Sequence, residues 1–524
     1  MAKRAVILVV LDGWGIGRED ESNAIYGANP KNLNYIRLHY PAGALQASGI
    51  AVGLPWGEPG SSEVGHMTLG AGRVLYQDYP RISLAVRDGS FFKNEVLLRA
   101  LEHARTNGTK INFVGLLSGG SEHSALEHLE ALVKMAEDNG VRFALHLFTD
   151  GIDSPPRGAP RLLSGLPPGT VGSISGRQFA MDKDGHWEKT KRCYEVMIGS
   201  AGSGVVPADA TTILNTAYQR GLTDEFINPS LLREELKIGD GDSLVFFNFR
   251  EDGIRQLAEM FVDKEAGGKM DLAAGVLETS EHPIPENLHL ASFTNYGQRF
   301  DIPVAFPQEK ILKPLGRVMA EAGKTQLRIA ETQKYAHVTY FFNGMDEAPL
   351  QNEYRVIIPS REEAQIKKYP EMRIREVGAR VLAAINEGVY DFILVNFANA
   401  DVMAHTGNVD AVQKAVAAVD EQVGLLLGAV LESGSALVLV SDHGNAETVL
   451  DIRTGIVETA HNTSPVPIYL VAGDYKREKT DHQAREIERV STGTLADVAP
   501  TILELAGVLK PAEMTGTSLL RFLQ

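Results

Sequence analysis

The sequence predicts an α/β protein of two α/β domains, the first of them interrupted by the second. Three observations carry this reading. At 524 residues and 56.9 kDa the chain is longer than one hydrophobic core normally supports. The near-continuous apolar runs Ala5–Leu11 (AVILVVL), Phe392–Phe397 (FILVNF) and Ala436–Ser441 (ALVLVS) read as central parallel strands covered on both faces. Between the first and second of them lies another alternation of helix-like and strand-like segments, enough for a core of its own.

That alternation runs in order from Phe91 to about Gln298. A helical pattern NEVLLRALEHARTNG precedes a strand KINFVGLLS, and a helix ALEHLEALVKMAEDNG precedes a strand VRFALHLFTDG. SISGRQFAM, SLVFFNF, a helix GIRQLAEMF and HLASFTNY follow. The expected architecture is a discontinuous parallel-sheet domain of residues 1–76 and 308–524, with an α/β domain of residues 77–307 inserted in it. The two connections, near Gln77–Pro80 and Phe306–Pro314, both contain proline. A double connection restricts motion to a hinge, and closure over a substrate is the expected consequence.

The bulk properties exclude several classes. Hydrophobic content of 44% with 23% charged residues is that of a globular chain. The single cysteine, Cys193, rules out an internal disulfide and reads as a packed or idle thiol. The opening MAKR-AVILVVL imitates a signal peptide, but its apolar run passes directly into Asp12-Gly13-Trp14 without a small-residue cleavage site. No window approaches the roughly 18 apolar residues that span a bilayer. A cytoplasmic monomer acting on a small molecule is expected. The net charge of −16 disfavours nucleic acid or an anionic membrane as partner. An anionic substrate would therefore need local help from metals and arginines.

Potential metal ligands cluster in five short segments at the two ends of the chain. They are Asp12 in VVLDGWG, Ser62 in GSSEVGHMTLGAGR, Asp401 and His405 in NFANADVMAH, Asp442 and His443 in VSDHGNAE, and His461 in TAHNTSPVP. Carboxylates and imidazoles suit divalent metals such as zinc or manganese, and a pair of ions about 3.5–4 Å apart can clamp both oxygens of an in-line phosphoryl displacement. Asp401 and His405 are spaced to chelate one ion from one helix face. The adjacent Asp442 and His443 are expected to diverge from a strand end, reaching two ions rather than one. Three of the carboxylates follow the apolar runs, and ligands gather outside the carboxyl ends of parallel strands. The pattern is binuclear and points to phosphoryl transfer.

These segments, with SEVGHMTLGAGRVLYQD, HSALEH, GRQFAMD, FFNFRED, RIAETQKYAHVTYFFNG and the closing LADVAPTILELAGV, resemble the cofactor-independent phosphoglycerate mutases, relatives of the alkaline phosphatases, over essentially the whole chain. The resemblance implies an alkaline-phosphatase-like metal domain and an inserted phosphotransferase domain. It implies one manganese-type ion on Asp401, His405 and His461, and a second on Asp12, Ser62, Asp442 and His443. Ser62 would be the nucleophile, carrying the phosphoryl group between 3- and 2-phosphoglycerate with no 2,3-bisphosphoglycerate as cofactor. Ser62 is also expected to precede a helix starting at Glu63, whose amides favour a phosphoryl group, and Ser61 to be the N-cap. Lys334 in ETQKYAH would lie against the phosphoryl oxygens. His123 and Asp153 match positions that hold glycerate and move its protons, and Arg177, Lys183 and Arg250 match positions for its carboxylate or phosphate.

The chain departs from that pattern in the insert. Ile152 stands where the family reads arginine in DGRD, Lys183 where arginine is usual, and Gly253 where a second arginine follows Arg250. GGVHSH becomes Gly120-Ser121-Glu122-His123-Ser124-Ala125. Lysine loses the planar fork of arginine, and isoleucine supplies no charge. Arg157, Arg192 or Arg255 could compensate. The competing expectations are a metal-dependent phosphohydrolase or mutase acting on another small phosphoester, and a catalytically silent metal-binding scaffold.

Overall fold

The computed structural model describes residues 4–200, 209–266, 269–271, 276–278, 282–297, 301–366 and 368–523. The chain divides into two compact units: unit 1 is Met1–Gln77 with Glu309–Gln524, and unit 2 is Asp78–Gln308. The strands in chain order are β1 Val6–Leu11, β2 Ala42–Gln46, β3 Ile111–Leu117, β4 Phe143–Thr149, β5 Val171–Gly176, β6 Ser230–Leu231, β7 Ser243–Phe246 and β8 Lys269–Asp271. They continue with β9 Val276–Glu278, β10 His289–Ser292, β11 Gln326–Glu331, β12 Glu353–Ile358, β13 Phe392–Phe397, β14 Ala436–Val440, β15 Val466–Val471 and β16 Ser491–Thr494.

Unit 1 is built on an eight-stranded sheet in the order β12-β11-β13-β1-β14-β15-β2-β16. The three apolar runs are its central neighbours: β1 pairs in parallel with β13 and β14, placing Val6 beside Phe392 and Ala436. Side chains of β1 alternate between two cores. Ile7, Val9 and Leu11 pack with Ile393, Val395, Leu437 and Leu439 on one face, and Val6, Leu8 and Val10 with Phe392, Leu394, Val438 and Val440 on the other. Burial on both faces explains why these strands read as continuous rather than alternating apolar runs. The helix Val409–Ser433 covers the first face, capped by Asn408, whose side chain accepts from the Ala411 amide.

The central strands run parallel, as expected, and the sheet as a whole is mixed. β15 runs antiparallel to both β14 and β2. A parallel return needs a crossover element, usually a helix. Residues 441–465, between β14 and β15, contain none. The chain spends that stretch on the site and comes back in the opposite direction.

Unit 2 has a six-stranded sheet in the order β10-β7-β3-β4-β5-β6, parallel except for the short β6. The helices Glu95–Asn107 and Leu126–Asp138 pack on it through Leu97, Leu101, Leu129 and Leu132, against Phe113 and Val245. Buried polar groups cross the sheet: His146 Nδ1 is 2.8 Å from Ser173 Oγ, and its Nε2 is 3.2 Å from Asn112 Oδ1. The segment SISGRQFAM is split between β5 and a helical turn Arg177–Ala180, so that Arg177 begins where the strand ends. No helix among the described residues is long and apolar enough to cross a membrane.

Candidate metal centre and phosphate-binding residues

In unit 1 the chain ends its three central strands at the site. Asp12 follows β1 directly, Asp442 lies two residues beyond β14, and Asp401 sits on the helix Asn399–Ala404 that follows β13. Asp12 and Asp442 are fully buried, and Asp401 is 2% exposed. Gly13, with φ at +70°, allows the close approach to this helix, since a Cβ there would fall 2.7 Å from Asp401 Cβ. Ser62 is the first residue of the helix Ser62–Ala71, one position earlier than expected, and Ser61 is its N-cap, accepting from the Val64 amide.

Lys334 ties the segments together from below 10% exposure. Its Nζ donates to Asp12 Oδ1 at 2.7 Å, Ser62 Oγ at 2.7 Å and Asp401 Oδ2 at 2.9 Å. Ser62 Oγ also lies 2.9 Å from His443 Nε2 and donates to Asp12 Oδ1 at 3.3 Å. Burial opposes the charge on Lys334, but the carboxylates of Asp12, Asp401 and Asp442 outweigh it and hold the ammonium well above its usual pKa. Burial likewise opposes ionisation of Asp401, and Lys334, His405 and His461 hold its carboxyl well below the ordinary range. His443 is pushed up to about 9, against burial, chiefly by the neighbouring Asp442.

The adjacent Asp442 and His443 do not diverge. Asp442 Oδ2 and His443 Nε2 are 3.6 Å apart. The strand ends at Val440, so pleated alternation no longer governs the next residues. His443 instead reaches both ligand sets. The ligand atoms of Asp12, Asp442 and His443 lie within 4.8 Å of one another, and so do those of Asp401, His443 and His461.

The donor set fits divalent cations. Three buried carboxylates face the single ammonium of Lys334, leaving a negative excess that a buried site tolerates only with added positive charge. The backbone also sets the histidines. His405 Nδ1 meets the Thr459 carbonyl at 2.8 Å and His461 Nδ1 the Gly60 carbonyl at 2.9 Å, so each of these nitrogens donates and in the neutral rings the Nε2 lone pairs are bare. Those two Nε2 atoms face each other at 3.1 Å, each 3.3 Å from Asp401 Oδ1. Asp442 Oδ2 is buried and satisfied by no hydrogen bond. Such convergent acceptors make a cation trap.

The residues expected in the insert gather in unit 2. Arg177 Nη1 donates to Asp150 Oδ1 at 2.5 Å and Asp153 Oδ2 at 2.9 Å. Asp150 is held low: burial raises its pKa, but the Ser118 hydroxyl and Arg177 outweigh this. His123 is buried, its Nδ1 lacks a hydrogen-bond partner and stands 3.5 Å from Asp252 Oδ1, and burial followed by Arg177 lowers its pKa. Arg250 pairs with Glu122 and approaches Asp252 at 3.5 Å. Lys183, mostly exposed, is 3.8 Å from the same carboxylate.

Ile152 points outward with 60% exposure, and a Cβ on Gly253 would meet Met181 Cε at 2.7 Å. Of the arginines named as compensators, Arg255 donates to the Tyr296 carbonyl and Glu251. Arg157 stacks over Tyr218 and Arg192 over Phe179. Sequence reasoning missed Asp150, His66, Asn396 and Asn445. Asp150 had a usable signal, an acidic residue after an apolar strand and before Gly151, and His66 lies one helical turn beyond Ser62. Asn445 donates to Asp401 Oδ1 at 2.8 Å, a contact that no local pattern announces.

The metalloenzyme superfamily model matches residues 4–510. The 2,3-bisphosphoglycerate-independent phosphoglycerate mutase 1 of Methanosarcina barkeri is 40% identical over 532 residues, spanning 99% of this chain and 98% of its own. The 2,3-bisphosphoglycerate-independent phosphoglycerate mutase of Desulforudis audaxviator is 43% identical over 527 residues, with 98% of this chain and 99% of its own spanned. Among solved structures, a phosphoglycerate mutase of Leishmania mexicana, studied at low cobalt concentration, is 26% identical with a TM-score of 0.51, covering 99% of this chain and 98% of that one. With alignments at this identity running end to end, the chain belongs to the metalloenzyme superfamily and, within it, to the 2,3-bisphosphoglycerate-independent phosphoglycerate mutases.

Proposed function

We propose that this chain is an isomerase that interconverts 3-phosphoglycerate and 2-phosphoglycerate, in glycolysis and gluconeogenesis, through a phosphoserine on Ser62. The observation that carries the reading is the environment of Ser62 Oγ, which touches Lys334, His443 and Asp12 at the start of a helix. Helix amides and the Lys334 ammonium favour the incoming phosphoryl group. Ser62 Oγ bonds to phosphorus as the bond to the 3-oxygen breaks, and the retained glycerate then returns the group to its 2-oxygen, freeing the serine. Asp153 and His123 take the proton of the 2-hydroxyl and supply one to the 3-oxygen. Arg177, Arg250 and Lys183 bind the anionic ends.

Two divalent ions, held by Asp401, His405 and His461 and by Asp12, Ser62, Asp442 and His443, would favour the serine alkoxide and neutralise phosphoryl charge. Mixed oxygen and imidazole ligation suits manganese. Unit 1 is thus the metal-binding domain and unit 2 the substrate-binding one, in a cytoplasmic monomer.

A second reading, a phosphohydrolase or mutase for another small phosphoester, is favoured by Ile152, Lys183 and Gly253 in place of family arginines. One experiment separates the two. Metal-loaded protein is incubated with 3-phosphoglycerate, without bisphosphoglycerate, while 2-phosphoglycerate and free phosphate are followed. Isomerisation with little phosphate supports the mutase; phosphate alone, or no reaction, overturns it.

A further inference from the structure

Asp12, Ser62 and Asp442, three of the four side chains assigned above to one ion, meet behind the site at two residues that are not themselves among the proposed ligands. His66 is one turn beyond Ser62 on the helix Ser62–Ala71, and Asn396 is on β13. They are 0% and 2% exposed. Asn396 Nδ2 donates to Asp12 Oδ2 at 2.6 Å and lies 3.0 Å from His66 Nε2. On the other edge of the ring, His66 Nδ1 is 2.9 Å from the Ser62 carbonyl and 3.1 Å from Asp442 Oδ2.

Only one arrangement of protons satisfies these contacts. A carbonyl oxygen can only accept, so Nδ1 carries the hydrogen. An amide nitrogen can only donate, so Nε2 is bare. Rotating the Asn396 amide would turn its oxygen onto the Asp12 carboxylate, so its orientation is fixed as well. The consequence is a division of labour within each carboxylate. Asp12 Oδ2 is held by Asn396, leaving Oδ1 for Lys334, Ser62 and His443. Asp442 Oδ1 is held by the amides of Gly13 and His443, at 3.2 Å and 3.1 Å. The His66 hydrogen goes to the Ser62 carbonyl, so Asp442 Oδ2 keeps its lone pairs while facing the polarised Nδ1–H edge.

We infer that His66 and Asn396 are positioning residues that set the geometry of the Asp12–Ser62–Asp442 ligand set, and that they govern occupancy of that metal position and not of the other. Partners that orient metal ligands typically contribute about 10–100-fold in affinity when lost. The inference rests on the ligand assignment proposed above.

The test is calorimetric titration of the metal-free protein with Mn2+, with manganese electron paramagnetic resonance to count bound ions and thermal melting of each metal-free variant. Wild type should take two ions. His66→Ala should weaken one of them by about 10–100-fold and leave the other unchanged. His66→Asn, whose amide nitrogen can occupy the place of Nδ1, should recover most of that loss. Asn396→Leu should weaken the same ion, and adding it to His66→Ala should cost little more, because the two act as a unit.

Unchanged affinity for both ions in His66→Ala and Asn396→Leu would overturn the inference. Equal weakening of both ions in step with a lowered metal-free melting temperature, without recovery in His66→Asn, would also overturn it, reducing the pair to a structural role. Failure of wild type to take two ions would instead sink the ligand assignment, an outcome distinguishable from either.

Discussion

The polar cluster of unit 1 and that of unit 2 differ in how their charges are paired. In unit 1, Asp12, Asp401 and Asp442 outnumber Lys334, and the bare Nε2 edges of His405 and His461 turn toward them. In unit 2 each cation already has acidic partners: Arg177 has Asp150 and Asp153, and Arg250 has Glu122 and Asp252. A buried negative excess calls for cations. Cations already paired with carboxylates do not call for an anion; an anionic ligand must draw the guanidinium groups away from those partners. The first cluster should therefore fail all at once when a ligand is lost, and the second should respond by degrees.

The largest effect should follow from unit 1. Asp401→Asn removes the carboxylate that faces Lys334, His405 and His461, and should lower kcat by at least about 10³-fold while releasing one ion, as metal analysis would report. In unit 2, Arg177→Lys keeps the charge but loses the fork, and should raise KM for 3-phosphoglycerate by about 10–100-fold with a smaller change in kcat. Equal effects from the two substitutions would break the distinction.

The two units should also differ in acid. Burial holds His128 and His146 of unit 2 down to about 3, with Ser83 and Glu127 against the first and Asn112, Ser173 and the charge of Lys110 near the second. Their folded values are depressed, so the stability they permit is full above about pH 6.5 and is lost as pH falls toward 3. In metal-free unit 1, His443 is raised to about 9, and its contribution is full below about pH 6.5 and lost as pH rises through 9. His337, held down to about 4 by burial, partly offsets this. Hydrogen exchange of the metal-free protein, corrected for intrinsic rates, should therefore show β3 and β4 losing protection between about pH 6.5 and 4.5 before β1 and β14 do. The reverse order would contradict the assignment of these rings.

The smallest effect belongs to Glu122→Gln. The Arg250 pair is about half exposed, so freeing the guanidinium should lower KM by no more than about two- to fivefold, as steady-state kinetics would resolve.

How far the sequence discloses the molecule follows the same division. β1, β13 and β14 were legible because burial on both faces leaves an unbroken apolar run, and Asp12 and Asp442 were legible because they come where those runs stop. The direction of β15 was not, since VPIYLV states burial and says nothing of orientation. The convergence of Asp442 and His443, implied by the resemblance, was missed by residue spacing because strand alternation was carried past the end of the strand. His66 and Asn396 stand 330 positions apart in sequence, and only the fold brings them together. In unit 2, pairing of Arg250 with Glu122 depends on two loops, and loop positions leave no periodic trace.

The central claim is that Ser62 carries the phosphoryl group. The direct test is rapid acid quenching of the manganese-loaded protein during turnover of 3-phosphoglycerate, followed by peptide mass spectrometry, with Ser62→Ala as the companion sample. One phosphoryl group on the peptide containing Ser62, formed and consumed at the rate of isomerisation and absent from Ser62→Ala, is the predicted result. Isomerisation with that peptide unmodified throughout, or undiminished in Ser62→Ala, would contradict it.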